Sequence, residues 1–331
     1  MFRNVILLFL VVMSLVIIGV GLSDRAGSCS HQLRLAYVTP PQGPLHEAAQ
    51  LFVKEVYAKT SGRIDIKIYP SAQLGKGREL VEGLMIGSVD MTIEGGAPIG
   101  WYYPEYGAFE APFAFRDFAH MDRVLNGQAG EIVKNAFLKE RGIRILDWWH
   151  RGPRYLTTSK KKVEKPEDLE GLKLRVPELR TYIESWRLLG ANPTPITLSE
   201  AFTSLKLGVV EGQENPLETI YTSSFHEVQK YAMRTEHLLG FYMISISETA
   251  YQSLSKADQQ ILQDCIKQAG KLEHKLMLKY EKQYEDLMKQ AGVEFVEVDR
   301  EAFRQRLVNT LPEVFKDEWA SGFYELIINT K

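Results

Sequence analysis

The sequence predicts an α/β protein in two lobes, with a long C-terminal helix bracing both, and three observations predict it. At 331 residues the chain exceeds one ordinary core and suits two lobes of roughly 100 to 200 residues each. Short apolar runs alternate with longer helical periodicities, the order that packs helices on a largely parallel sheet. Composition agrees, because 45% hydrophobic and 25% charged residues describe a globular body. A formal charge of -2, with 40 basic and 42 acidic residues and no long basic run, excludes nucleic acid as a partner.

Residues 1–29 stand apart. Arg3 is followed by an uncharged run from Val5 to Leu22, at the low end of what spans a bilayer, so an export signal and a retained anchor both fit. AGSC, ending at Cys29, adds a third reading. A cysteine after an apolar run and small residues resembles the lipobox where bacterial lipoproteins are cut and acylated. Ala26 replaces its usual Leu, and Asp24 and Arg25 intrude. Membrane association through the N-terminus is therefore an expectation. The other cysteine, Cys265, shares a helical face with Ile261, Ala269 and Leu272 and reads as a small buried side chain. No disulfide framework, metal cluster or cofactor is expected.

LRLAYV at 33–38 reads as a strand. Ala48, Ala49, Phe52, Val53 and Val56 then recur at helical spacing up to Ser61 and Gly62. Ile64, Ile66 and Ile68 alternate with polar residues as a strand ending at Pro70. A helix over 78–87 and a strand over 89–93 lead to Glu94, Gly95 and Gly96. That glycine pair lacks GxGxxG spacing and no Lys-Ser/Thr follows, so it reads as a tight turn rather than a phosphate loop. The aromatic, proline-punctuated stretch 100–118 reads as rings closing a core, with a ligand wall as the alternative. A helix over 120–138 and a strand over 143–149 complete this part.

The chain is expected to cross into the second lobe near Gly152, with strands over 154–158 and 172–176 and helices over 181–189 and 199–207. A strand over 241–246 returns. Apolar residues from Ile261 to Leu287 at spacings of three and four predict a helix of roughly 35 residues, about 50 Å long. A coiled-coil dimer seam is the alternative, which His274 and irregular flanks disfavour. These boundaries assign residues 30–151 plus 241–279 to the first lobe and 152–240 plus 280–331 to the second.

Chemistry concentrates between Leu172 and Pro216. Arg175 ends the strand of LKLRVP, Asn215 sits beside the turn of VVEGQENP, and Arg154 in GPRYLTTS precedes them. Two guanidiniums and a carboxamide from separate strand ends suit a small carboxylate, because arginine offers a planar two-donor fork. The plainer alternatives are a salt bridge from Arg175 to Glu178 or Glu211, and Asn215 as a turn residue.

The chain resembles the solute-binding proteins of tripartite ATP-independent periplasmic (TRAP) transporters from Leu33 to its C-terminus. The resemblance rests on IYPSAQLG (68–75), GLKLRVP (171–177), GANPTPITLSEAF (190–202) and VVEGQENP (209–216). It implies a two-lobed clamp like other periplasmic binding proteins, which closes on an organic acid and delivers it to a permease of a small and a large membrane subunit. It implies an ion pair between Arg175 and the ligand carboxylate, with Arg154 and Asn215 assisting and Glu94 near ligand hydroxyls. Leu198 replaces a ring of the sialic-acid-binding members, and Lys76 and Gly77 replace acids, which argues against sialic acid. Sugar acids, dicarboxylates and 2-oxoacids stay open. His150 and Arg151, after Trp148 and Trp149, are expected to add contacts in a wider or more anionic pocket, and Trp149 and His150 join the candidate ligand contacts.

The resemblance implies an exported protein, in the periplasm or at the outer face of the cytoplasmic membrane. A sensor system instead of a permease is an alternative destination. An enzyme is the rival class, but His46, His120, His150, His226, His237 and His274 are scattered, with no nucleophile elbow and no HExxH pair.

Overall fold

A computed structural model describes residues 30–331. β1 (His31–Ala36), α1 (Pro44–Lys59) and β2 (Ile64–Tyr69) form a parallel crossover unit, with Leu45, Ala48, Ala49, Phe52 and Val56 of α1 buried on one face. α2 (Gly77–Ile86) leads to β3 (Met91–Gly95), which lies parallel to β1. The aromatic stretch forms α3 (Ala97–Tyr102) and a 3-10 turn over Pro104–Glu110, and Phe109 and Phe115 enter the first-lobe core. Where one helix was expected over 120–138 there are two, α4 (Phe118–Leu125) and α5 (Gln128–Arg141). Asp117 caps α4 through the His120 amide, and the chain turns so tightly at Gly127 that a Cβ would stand 2.5 Å from the Arg123 carbonyl oxygen.

The two strands expected over 143–149 and 154–158 are one, β4 (Ile143–Thr158), running 16 residues through both lobes. The second lobe adds β5 (Lys173–Val176), α6 (Arg180–Leu188), β6 (Asn192–Pro195), α7 (Leu198–Lys206), β7 (Gly212–Pro216), α8 (Leu217–Thr222) and β8 (Tyr231–Met233). β9 (Leu239–Ser247) then returns antiparallel between β3 and β4, as expected of a shared strand. The continuous strand order is β2-β1-β3-β9-β4-β7-β5-β6. The register of β4 against β9 shifts between His150 and Gly152, and Gly152 adopts φ 86°, where a glycine is needed.

After α9 (Glu248–Ser253), the 35-residue α10 (Lys256–Gln290) starts at Ser255, whose side chain accepts from the Asp258 amide. Its first half buries Leu262, Cys265, Ile266 and Ala269 in the first lobe, and its second half buries Tyr284 and Met288 in the second. One rod therefore braces two cores. β10 (Glu294–Val296) and α11 (Arg300–Val308) bury Val296, Phe303 and Leu307 in the second lobe. Beyond them the expected boundary is corrected. α12 (Leu311–Val314), α13 (Phe323–Ile328) and their linker place Leu311, Phe315, Phe323 and Ile327 among Phe109, Val133 and Phe137. The tail thus returns to the first lobe, because its aromatic residues complete that core and would otherwise lie bare.

Gly270 of α10 faces the Trp149 indole, and a Cβ there would stand 2.6 Å from Nε1 of this rigid, fully buried ring. Gly270→Ala is expected to lower the melting temperature, with overpacking of about 1 to 3 kcal/mol exceeding the roughly 1 kcal/mol gain in helix propensity. A thermal denaturation scan of the variant checks the sign.

Candidate functional site

The lobes enclose a cleft of about 300 Å³, reached by the ends of β3 and β5, by the middle of β4 and by the first turns of α2 and α7. Arg175, Arg154, Asn215 and Glu94 all line it. Two contacts tie the lobes across its mouth. Lys76 pairs with Glu200 at 2.8 Å, and the Trp101 indole donates to the Glu178 carbonyl at 2.8 Å.

Arg154 and Arg175 are both buried, at 2% and 3% exposure, but their charges are handled differently. Arg154 is fully paired with Glu214 of β7. Its Nε donates to Oε2 at 2.5 Å, and its Nη2 donates to Oε1 and to the Glu214 carbonyl at 2.8 Å each. His237 adds a contact from Nε2 to Glu214 at 3.1 Å, and the Tyr182 ring lies 5.2 Å from the Arg154 guanidinium carbon. Burial pushes the Glu214 carboxyl up, but the charge of Arg154 and the hydrogen bonds from His237 and Arg154 outweigh it and hold it at about 2.

Arg175 has no such partner. Its Nε donates to the Ile196 carbonyl at 2.8 Å, and among the described residues no carboxylate comes within ion-pair distance. Burial therefore drives its acidity, lowering its pKa to about 10, with attraction from Glu214 opposed by repulsion from Arg154 and Arg151. A buried guanidinium without a counterion is costly in a protein interior. Asn215 is held in the Arg154 network, accepting from Arg154 Nη2 at 3.2 Å and donating to Gln213 at 2.7 Å.

The first lobe supplies carboxyl groups. Glu94, at the end of β3, is 5% exposed, its Oε1 has no hydrogen-bond partner, and burial raises it to about 8 against the lowering field of Arg151. Glu110 accepts from the Tyr182 hydroxyl at 2.6 Å across the lobes. Gly96 makes room for that carboxyl, since a Cβ there would overlap Glu110 Oε1.

The family model described as bacterial extracellular solute-binding protein, family 7, matches residues 35–318. The chain belongs to this family. A solute-binding protein of Roseobacter denitrificans is 37% identical over 85% of this chain and 86% of its own length. The crystal structure of that relative, a TRAP periplasmic solute-binding protein with bound L-galactonate, has a TM-score of 0.83 at 33% identity, covering 90% of this chain and 97% of the other. The 2,3-diketo-L-gulonate-binding periplasmic protein YiaO of Escherichia coli is 31% identical over 93% of this chain and 94% of its own. A TRAP periplasmic solute-binding protein of Polaromonas bound to D-erythronate has a TM-score of 0.85 at 29% identity, covering 91% and 99%.

Set against this family 7 fold, two sequence-based site assignments are corrected. Trp149 is buried in the first-lobe core against α10, and His150 stacks on Phe118 and bonds His274 and Asp122, so neither lines the cleft. The salt bridge considered for Arg175 with Glu178 or Glu211 does not form; the buried pair is Arg154 with Glu214, and GQENP, expected as a turn, is strand β7. Tyr182 and Glu110 carry no local sequence signal, because only the lobe contact joins them.

Two outcomes follow from these charges. Arg154→Met strands the buried Glu214 carboxylate and is expected to destabilise the unliganded protein by about 3 to 5 kcal/mol, whereas Arg175→Met leaves its melting temperature unchanged or raised. Thermal scans of both variants without ligand check this contrast. Glu94 at about 8, Glu218 at about 7 and Glu281 at about 7, each raised by burial from 4.5, bind protons more tightly folded than unfolded. Their contribution is fully present below pH 4.5 and is lost as pH rises through 7 to 8, so unliganded stability should fall over that window. Glu94→Gln should flatten the fall, as read by denaturant melts at stepped pH.

Proposed function

We propose that this protein is an extracytoplasmic receptor that captures a small organic acid by closing its two lobes, and hands the closed complex to a two-part TRAP membrane permease. One observation carries the reading: Arg175 is a buried cleft guanidinium with no counterion among the described residues. A ligand carboxylate supplies that counterion in bidentate geometry. Tyr182, Glu110 and Trp101 join first-lobe and second-lobe groups around the same space, so a ligand filling it touches both lobes and favours the closed form by its differential affinity. The relatives bound to L-galactonate and D-erythronate, and the one named for 2,3-diketo-L-gulonate, support an acid as the ligand class. Family membership supports action outside the cytoplasm. The apolar N-terminal run and Cys29 lie outside the described residues, and none of the described helices is long and apolar enough to cross a membrane. Docking on the permease belongs to this reading as well, with the N-terminal segment as export signal, retained anchor or site of lipid attachment at Cys29.

Arg154 and Asn215 act on this reading mainly by shaping the Arg175 environment, and Glu94 offers a carboxyl to ligand oxygens. Calorimetric titration with a panel of organic acids and matched neutral polyols tests it. One acid class should bind saturably, and Arg175→Ala should cost about 2 to 5 kcal/mol of binding, with Arg175→Lys also weaker because an ammonium lacks the fork. Unchanged affinity in a folded Arg175→Ala variant would refute the assignment.

A further inference from the structure

Arg151 is a third cation of the cleft, half-buried, and its position is built. It sits at the register shift of β4 against β9, where a bulge re-aims a side chain. Two glycines make way for it. A Cβ at Gly95 would stand 2.8 Å from its Nη1, and one at Gly240 would stand 3.2 Å from its Cβ. The guanidinium carbon lies 5.2 Å from the centre of the Tyr242 ring, and Nη2 donates to the Thr219 hydroxyl at 3.3 Å. Its Nε is buried without a hydrogen-bond partner, and among the described residues no carboxylate lies within ion-pair distance.

What faces Arg151 limits what it can receive. Glu94 from β3, Glu110 from the first-lobe turn and Glu218 from α8 are buried and all feel its charge. A second carboxylate brought here would have to lose its hydration beside three buried carboxyl groups, at the cost of burying a further ion. A hydroxyl or carbonyl oxygen accepts a hydrogen bond from the guanidinium without adding charge.

We infer that Arg151 is a specificity-determining residue that donates to a neutral acceptor oxygen, hydroxyl or carbonyl, of the same acid whose carboxylate Arg175 holds. The substrates are then oxygenated monocarboxylates, and dicarboxylates of equal length are disfavoured. This deepens the carboxylate-receptor reading and rests on it.

Binding isotherms of the purified protein test it, using four- and six-carbon aldonates, their singly deoxygenated analogues, and dicarboxylates of the same chain lengths. Wild type should bind an aldonate about tenfold more tightly than one of its deoxy analogues, since that analogue leaves a buried donor unpaired. In Arg151→Met the aldonate should weaken about tenfold and discrimination against that analogue should shrink to about twofold. Arg151→Lys, which keeps the charge but loses the fork, supplies the reading should the methionine variant fail to fold, and should show reduced discrimination. A dicarboxylate as the tightest wild-type ligand, or discrimination that persists in the Arg151 variants, overturns the inference. If Arg175→Ala abolishes acid binding while Arg151 variants keep discrimination, only this inference falls. If no acid binds, or acids bind independently of Arg175, the carboxylate reading falls and takes this inference with it.

Discussion

The Arg154–Glu214 ion pair is the interaction on which the site depends. Both side chains are buried, and Glu214 spends its acceptors on Arg154 and His237. Because that carboxylate is committed, it is not in ion-pair contact with Arg175, one strand further on, although its field still reaches it. The cleft of about 300 Å³ is therefore lined by a guanidinium whose charge no described carboxylate meets in contact. On the proposed reading, folding tolerates a guanidinium without a counterion, and a bound acid relieves it. Such a site trades stability for recognition, as functional sites commonly do.

The same constraint explains the architecture around it. β4 and α10 each run through both lobes, so the cleft floor is rigid while its two walls belong to different cores. Arg151 and Arg154 are on β4 itself, Arg175 and Asn215 are on second-lobe strands, and Glu94 is on a first-lobe strand. A ligand engaging these groups touches both lobes. On the proposed reading, closure also removes water, and fixed charges act more strongly in the low-dielectric space that remains.

Much of this was legible in the sequence. The α/β alternation, the long helix and the buried Cys265 follow from apolar spacing, which tertiary packing then respects. Arg175 stood out because a charged residue closing an apolar strand must find a partner. The partner of Arg154 was not legible, since nothing in one sequence says which of Glu178, Glu211 and Glu214 faces which arginine. The faces of β4 were misread for a physical reason. In an unbroken strand His150 and Arg154 share a face, but the register shift beside Arg151 changes the parity, so His150 turns to α4 and α10 while Arg151 turns to the cleft. The Gly152-Pro153 pair that marks this shift looked like a strand end, and the continuous β4 was accordingly split in two. The C-terminal tail was misplaced because its aromatic residues state that they need a core without stating which one.

The most direct test of the central claim is a crystal structure of the protein with its tightest-binding acid from the titration panel. The account predicts a ligand carboxylate in bidentate contact with the Arg175 guanidinium, with the Arg154–Glu214 pair intact beneath it. A bound acid whose carboxylate lies elsewhere, with Arg175 still bonded only to protein, would contradict it.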